Sequence, residues 1–237
     1  MDAPVALVTG VSRAIGIGAA VKTTLEADGW TVASAGRSDY DESMPWGADA
    51  APANQFDVDL SDPEAPESLV ADVVRSVGPI TALVMCHAES RDSDIATTTV
   101  ESFDTHMAVN ARASWLLIKA YAEQFPGPAG AGRILAITSD HTAGNLPYGA
   151  SKGALDRIVL AAAAELAHLG ITANVINPGA TDTGWMSAEI TQAALERNLQ
   201  PRIGTAEDCA RLVRFLCSED GRWINRQLLK SDGGLAW

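Results

Sequence analysis

Few cysteines, no long apolar run and a shortage of basic residues remove several functions before any motif is considered. The three cysteines of this 237-residue chain, Cys86, Cys209 and Cys217, lie in apolar segments without C-x-x-C spacing. Neither a disulfide framework nor a zinc site is suggested, no metal is expected, and a reducing, cytoplasmic setting is. No apolar run reaches the roughly 20 residues that span a bilayer, and "MDAPVALVTG" carries no basic segment ahead of its apolar stretch. Secretion and membrane insertion are therefore not expected. The 17 Lys and Arg stand against 30 Asp and Glu, a formal net charge of −13. That balance disfavours nucleic acid and anionic lipid as partners, although a local Arg cluster could still hold a small phosphate. Two familiar nucleotide signatures, G-x-G-x-x-G and G-x-x-x-x-G-K-[ST], are also missing.

What remains is a chain that is 47% hydrophobic and 20% charged, enough to bury a large core as one α/β domain over residues 1–237. Short β-rich runs alternate with longer helical stretches. Val5 to Thr9, Thr31 to Gly36, Thr81 to Cys86, Arg133 to Thr138 and Ile171 to Ile176 read as buried strands, each bounded by Gly, Pro, Asp or Ser. Helices are expected over Glu64 to Val77, Val100 to Gln124, Tyr148 to His168 and Ala206 to Cys217, with a last strand in "RQLLKSD". The βαβα order implies a parallel sheet with helices on both faces and ligands at the carboxyl ends of the strands. Ser38 to Gln55, interrupted by Pro45, Gly47 and Pro52, reads as an ordered surface loop.

"TGVSRAIGIG", Thr9 to Gly18, falls between the first strand and the first helix. There, free backbone N–H groups and the helix dipole favour a pyrophosphate, and glycine lets the backbone approach it; packing punctuation is the competing reading. Tyr148 and Lys152 are four apart, so one helix face brings an ammonium near a phenol. A nearby cation lowers a phenol's pKa and makes Tyr a usable general acid or base, although chance spacing also produces such a pair. Ser139 follows a buried strand, where it either donates to a substrate oxygen or satisfies loop backbone. Asn110, inside a helical pattern, is a local conflict of the kind found at functional sites.

Together, TG-x5-G, Asn110, Ser139, Tyr148-x3-Lys152, "NPGATDTG" (Asn177 to Gly184) and "SDGG" (Ser231 to Gly234) resemble the short-chain dehydrogenase/reductases, and among them the 3-oxoacyl reductase-like branch. The resemblance runs from Val5 to Gly234. It implies a single-domain, doubly wound Rossmann-type α/β fold with about seven parallel strands. It also implies that Tyr148 is the proton donor, that Lys152 lowers its pKa and holds the nicotinamide ribose, that Ser139 orients the substrate carbonyl, and that Asn110 anchors a water relay. Thr9, Gly10, Ser12, Arg13, Ile15 and Gly16 match the cofactor turn; Pro178, Gly179 and Thr183 match the stretch against the nicotinamide; Asp57 and Val58 match the adenine edge. Asp57 also reads as an ordinary strand-end turn former.

At the end of the second strand Gly36 stands where a carboxylate would bind the 2′-OH of NAD, followed by Arg37, with Arg13 in the glycine turn. Two guanidiniums favour NADP over NAD, against the alternative of two solvated surface arginines. Three departures from the family pattern stand out. Ala14 replaces the second glycine of the turn, "MCHAES" (Met85 to Ser90) replaces Asn-Asn-Ala-Gly, and the Ser139 to Tyr148 separation is shorter. His87 reads as a hydrogen-bonded structural residue that takes over support of the central strand, and His141 as an exposed loop residue or a substrate contact. Trp185 to Gly204 resembles a substrate lid whose Trp185, Met186, Ile190 and Leu195 either suit an apolar substrate or pack on the core. The expected function is NADP-dependent interconversion of a small-molecule ketone, 3-oxoacyl or otherwise apolar, and a secondary alcohol. A non-catalytic dinucleotide-binding regulator and an isomerase or dehydratase on the same scaffold are the alternatives. A homo-oligomer, tetramer or dimer, is implied by the resemblance.

Overall fold

The computed structural model describes residues 3–44, 55–125, 127 and 130–235. The first half runs β1 (Val5–Thr9), α1 (Ile17–Ala27), β2 (Thr31–Gly36), α2 (Ser38–Glu42), β3 (Gln55–Asp57), α3 (Ala65–Ser76) and β4 (Ile80–Met85). The second runs α4 (Val100–His106), α5 (Ala113–Gln124), β5 (Gly132–Ile137), α6 (Leu146–Glu165), β6 (Ile171–Asn177), β7 (Thr181–Asp182), α7 (Ala188–Arg197), β8 (Gly204–Thr205), α8 (Ala206–Cys217) and β9 (Leu228–Lys230). Seven strands form one parallel sheet in the order β3-β2-β1-β4-β5-β6-β9, while β7 and β8 pair separately. The doubly wound α/β class expected from the alternation is the class observed.

Every residue of β1 is buried, because a parallel strand covered on both faces has no solvent side. The period of two sorts its side chains: Val5 and Leu7 join the core under α3, α5 and α6, while Ala6 and Val8 join the core under α1 and α8. The helix α8 begins at Thr205, whose side chain and that of Asp208 form a reciprocal capping box. Among the described residues, no helix is long and apolar enough to cross a membrane.

Two expectations are corrected. Val100 to Gln124 is not one α-helix: Met107–Arg112 between α4 and α5 is π-helical, a single widened turn of the sort concentrated at functional sites. The stretch after β2 begins with a helix rather than loop, since Ser38–Glu42 forms α2 with Asp39 and Asp41 in its first turn, where the helix dipole favours carboxylates. Residues 45–54 of that stretch, including Pro45, Gly47 and Pro52, lie outside the described residues.

Candidate active site

The strand order reverses between β1 and β4, and a cleft of about 760 Å³ opens there along the carboxyl ends of the strands. Gly10 forms its floor with φ +75°, and a Cβ there would come within 2.5 Å of the Cys86 and His87 backbone, so only glycine lets β1 turn this close to β4. The helix α1 starts at Gly16 with no side-chain cap and no acidic residue in its first turn. Its first N–H groups are therefore left for an anion, which is the chemistry a dinucleotide pyrophosphate requires.

Ser139, Tyr148 and Lys152 line the opposite wall. Asn145 caps α6 by accepting the Tyr148 N–H, and one turn of helix then brings Lys152 beneath the Tyr148 ring, its Nζ 5.7 Å from the ring centroid. The lysine is buried, and Nζ donates to the Ile137 carbonyl at 2.9 Å and the His87 carbonyl at 3.5 Å. Burial lowers its pKa to about 8. The expectation that the ammonium lowers the phenol is not met: burial pushes Tyr148 up to about 12, opposed by a hydrogen bond with Ser139. The physical reason is that the lysine directs its protons at backbone carbonyls. The phenol is thus held in its protonated form.

Asn110 sits in the π-helical turn, fully buried, and does not line the cleft. Its Oδ1 accepts from Glu89 N at 2.7 Å, and its Nδ2 donates to Glu89 O at 2.9 Å and Ser151 Oγ at 2.9 Å. The side chain therefore clamps the loop after β4 to α6, which resolves the local conflict read in the sequence. His87 spans the same seam between Thr9 and Val109, and burial lowers its pKa to about 3. It is a neutral structural histidine, and Thr9 serves it rather than the cleft. His141 is exposed and meets Tyr148 edge-on at 6.4 Å between centroids.

At the other end, Arg37 lines the cleft but is fully engaged: Nε and Nη2 pair with Asp39 at 2.7 and 3.2 Å, and Nη1 with Asp59 at 2.9 Å. Asp57 accepts from Ser38 N and Oγ, tying β3 to the start of α2, and the neighbouring Val58 lines the cleft. A Cβ built on Gly184 would lie 2.9 Å from Arg13 Nη2 and 3.0 Å from Ile15 Cδ1, so both side chains reach across to the segment after β6. Pro178, Gly179 and Thr183 of that segment line the cleft, with Trp185, Met186 and Ile190 beyond them. Sequence reading missed the group opposite Arg37. Glu89 is 5% exposed and holds Arg91 Nε at 2.9 Å, while the Tyr40 hydroxyl accepts from Ser90 N at 3.3 Å.

A family model described as enoyl-(acyl carrier protein) reductase matches residues 10–236. An uncharacterized oxidoreductase of Bacillus subtilis (strain 168) is 33% identical over 97% of this chain and 96% of its own. The crystal structure of a short chain dehydrogenase from Burkholderia cenocepacia J2315 in complex with NADP is 32% identical, with a TM-score of 0.84 over 97% of this chain and 96% of that one. The chain belongs to the short-chain dehydrogenase/reductase family. It is similar as well to NADPH-dependent aldehyde reductase 2, chloroplastic, of Arabidopsis thaliana, at 31% identity over 97% of this chain and 93% of the relative. For a short-chain dehydrogenase/reductase, "MCHAES" is the unusual stretch. It places a neutral histidine at Thr9 and a buried carboxylate at the cleft wall.

Proposed function

We propose that this short-chain dehydrogenase/reductase uses NADP(H) to interconvert a ketone and a secondary alcohol, with Tyr148 as general acid and base. The observation that carries the reading is the geometry at the cleft wall, where the half-buried Tyr148 lines the same cleft as Ser139 and the buried Lys152 brings its Nζ to 5.7 Å from the Tyr148 ring centroid. A protonated phenol is the form that delivers a proton to a carbonyl oxygen acquiring negative charge. When bound, NADPH supplies the hydride from nicotinamide C4. Ser139 donates to the same carbonyl oxygen and orients it, and Lys152 holds the nicotinamide ribose at the base of the cleft. The N–H groups at the start of α1, with Gly10, Ser12 and Gly16 around them, receive the pyrophosphate. The absence of a carboxylate at Gly36 and the presence of Arg37 support NADP, as do the cofactors named for two relatives.

The apolar Trp185, Met186 and Ile190 that line the cleft suit an apolar ketone. Trp115, half exposed on α5, supports assembly of a homo-oligomer through that helix face. The test is NADPH consumption over a panel of ketones that includes 3-oxoacyl thioesters. Tyr148→Phe is expected to lower kcat by on the order of 10²–10⁴ while the Kd for NADPH stays within about twofold. Unchanged turnover in Tyr148→Phe, or a folded protein that binds NADPH and reduces nothing on the panel, defeats the reading.

A further inference from the structure

Four arginines line the cleft: Arg13, Arg37, Arg91 and Arg197. Arg13 reaches Gly184 on the wall that follows β6, and Arg197 ends α7 in the segment beyond that wall. Arg37 directly precedes α2, and Arg91 meets Tyr40 of α2 and Ser43 at its end. Arg37 has all three nitrogens bonded to Asp39 and Asp59. Arg91 is held differently. Its Nε is fixed by Glu89 at 2.9 Å, its Nη2 reaches Ser43 Oγ at 3.3 Å, and its guanidinium lies 5.9 Å from the Tyr40 ring centroid.

The Arg91 Nη1 makes no hydrogen bond among the described residues, and the side chain is 53% exposed on a carboxylate that is 6% exposed. Glu89 is itself immobilised, because Asn110 clamps both its N–H and its carbonyl. A guanidinium with one edge anchored and the other open is preorganised to receive an oxyanion, with little rotamer freedom left to lose. Tyr40 and Ser43, which bring Arg91 to the α2 end, follow Arg37 within six residues of chain.

From this arrangement we propose that Arg91, anchored by Glu89, is a second guanidinium for the adenosine 2′-phosphate of NADP. The proposal rests on the NADP reading above and assigns to Arg91 the part that the sequence offered to Arg13. The phosphate is received by the open edge of Arg91 and by Arg37 as its exposed Asp39 partner, 68% exposed, yields to the incoming anion.

Calorimetric titration of the full chain with NADPH, NADH, adenosine 2′,5′-bisphosphate and 5′-AMP tests this without turnover. Arg91→Ala is expected to raise the Kd for NADPH and for the bisphosphate on the order of tenfold, with NADH and 5′-AMP within about twofold of wild type. Arg91→Lys, which keeps the charge and loses the fork, is expected to fall between, and Arg13→Ala to weaken NADPH and NADH alike. Wild-type preference for NADPH that survives in Arg91→Ala overturns the assignment alone. So does equal weakening of all four ligands in that variant. A wild type that binds NADH as tightly as NADPH overturns the cofactor reading and this assignment with it.

Discussion

His87 joins the end of β1 to the π-helical turn, with Nδ1 2.6 Å from Thr9 Oγ1 and Nε2 3.1 Å from the Val109 carbonyl. A carbonyl only accepts, so Nε2 carries the proton and Nδ1 accepts from the Thr9 hydroxyl. Both ring nitrogens are satisfied in the neutral tautomer. A second proton on Nδ1 would face the Thr9 oxygen in a buried seam, with the Lys152 ammonium nearby, which is why the folded pKa falls to about 3.

That relationship makes the fold sensitive to acid. His87 titrates at about 3 folded against about 6.5 for an unperturbed histidine, so the unfolded chain binds more protons between those limits. The stabilisation is fully present above the unfolded pKa and is lost as pH falls toward the folded one, at up to about 1.4 kcal/mol per pH unit. His87→Asn is expected to be less stable at neutral pH by about 1–2 kcal/mol, yet to show a shallower fall in urea-unfolding free energy between pH 6 and 4. Parallel pH dependence in the two proteins would remove His87 as the source.

Much of this architecture was legible because buried parallel strands are continuous apolar runs: β1, β2 and α8 begin and end where the sequence places them. The Tyr148 and Lys152 pairing was legible too, since helical spacing is geometry. What escaped is set by single torsions and by loops. One inserted residue in the Met107–Arg112 turn leaves the hydrophobic period almost intact, so the π-helix was read as α. The direction of Arg13 is a rotamer choice, and no spacing in the sequence contains its approach to Gly184. Glu89 and Arg91 meet in the loop after β4, where no periodicity links them. The phenol's upward shift is a burial effect that i, i+4 spacing does not contain.

The replacement of a turn glycine by Ala14 is resolved by exposure. Ala14 is exposed, its φ is not positive and it does not line the cleft, whereas the close approaches in this turn occur at Gly10 and Gly18, where a Cβ would sit 2.5 Å from the Cys86 backbone and 2.3 Å from the Gly10 carbonyl. The Ala14 methyl therefore does not occupy the cradle. Ala14→Gly is expected to leave the Kd for NADPH within about twofold and to lower stability by about 0.4–1 kcal/mol through added freedom in the unfolded chain. A tenfold gain in NADPH affinity in a titration would show instead that the methyl obstructs the cofactor.

The pH dependence of catalysis separates Tyr148 from Lys152. Free-enzyme ionisations appear in kcat/KM, and the two groups lie at about 12 and about 8. Reduction needs the phenol protonated, which it is throughout the working range, and under the proposed mechanism it needs Lys152 charged to hold the nicotinamide ribose. The kcat/KM for ketone reduction is therefore expected to be flat through neutrality and to fall with a one-proton slope above about pH 8. Alcohol oxidation needs the opposite state of the phenol, so its kcat is expected to rise with pH through neutrality. Arg replacement keeps the charge at all accessible pH values. In Lys152→Arg the falling limb of reduction should disappear even though the rate is lower at every pH. A limb that persists there near pH 8 belongs to another group and removes Lys152 as the titrating residue.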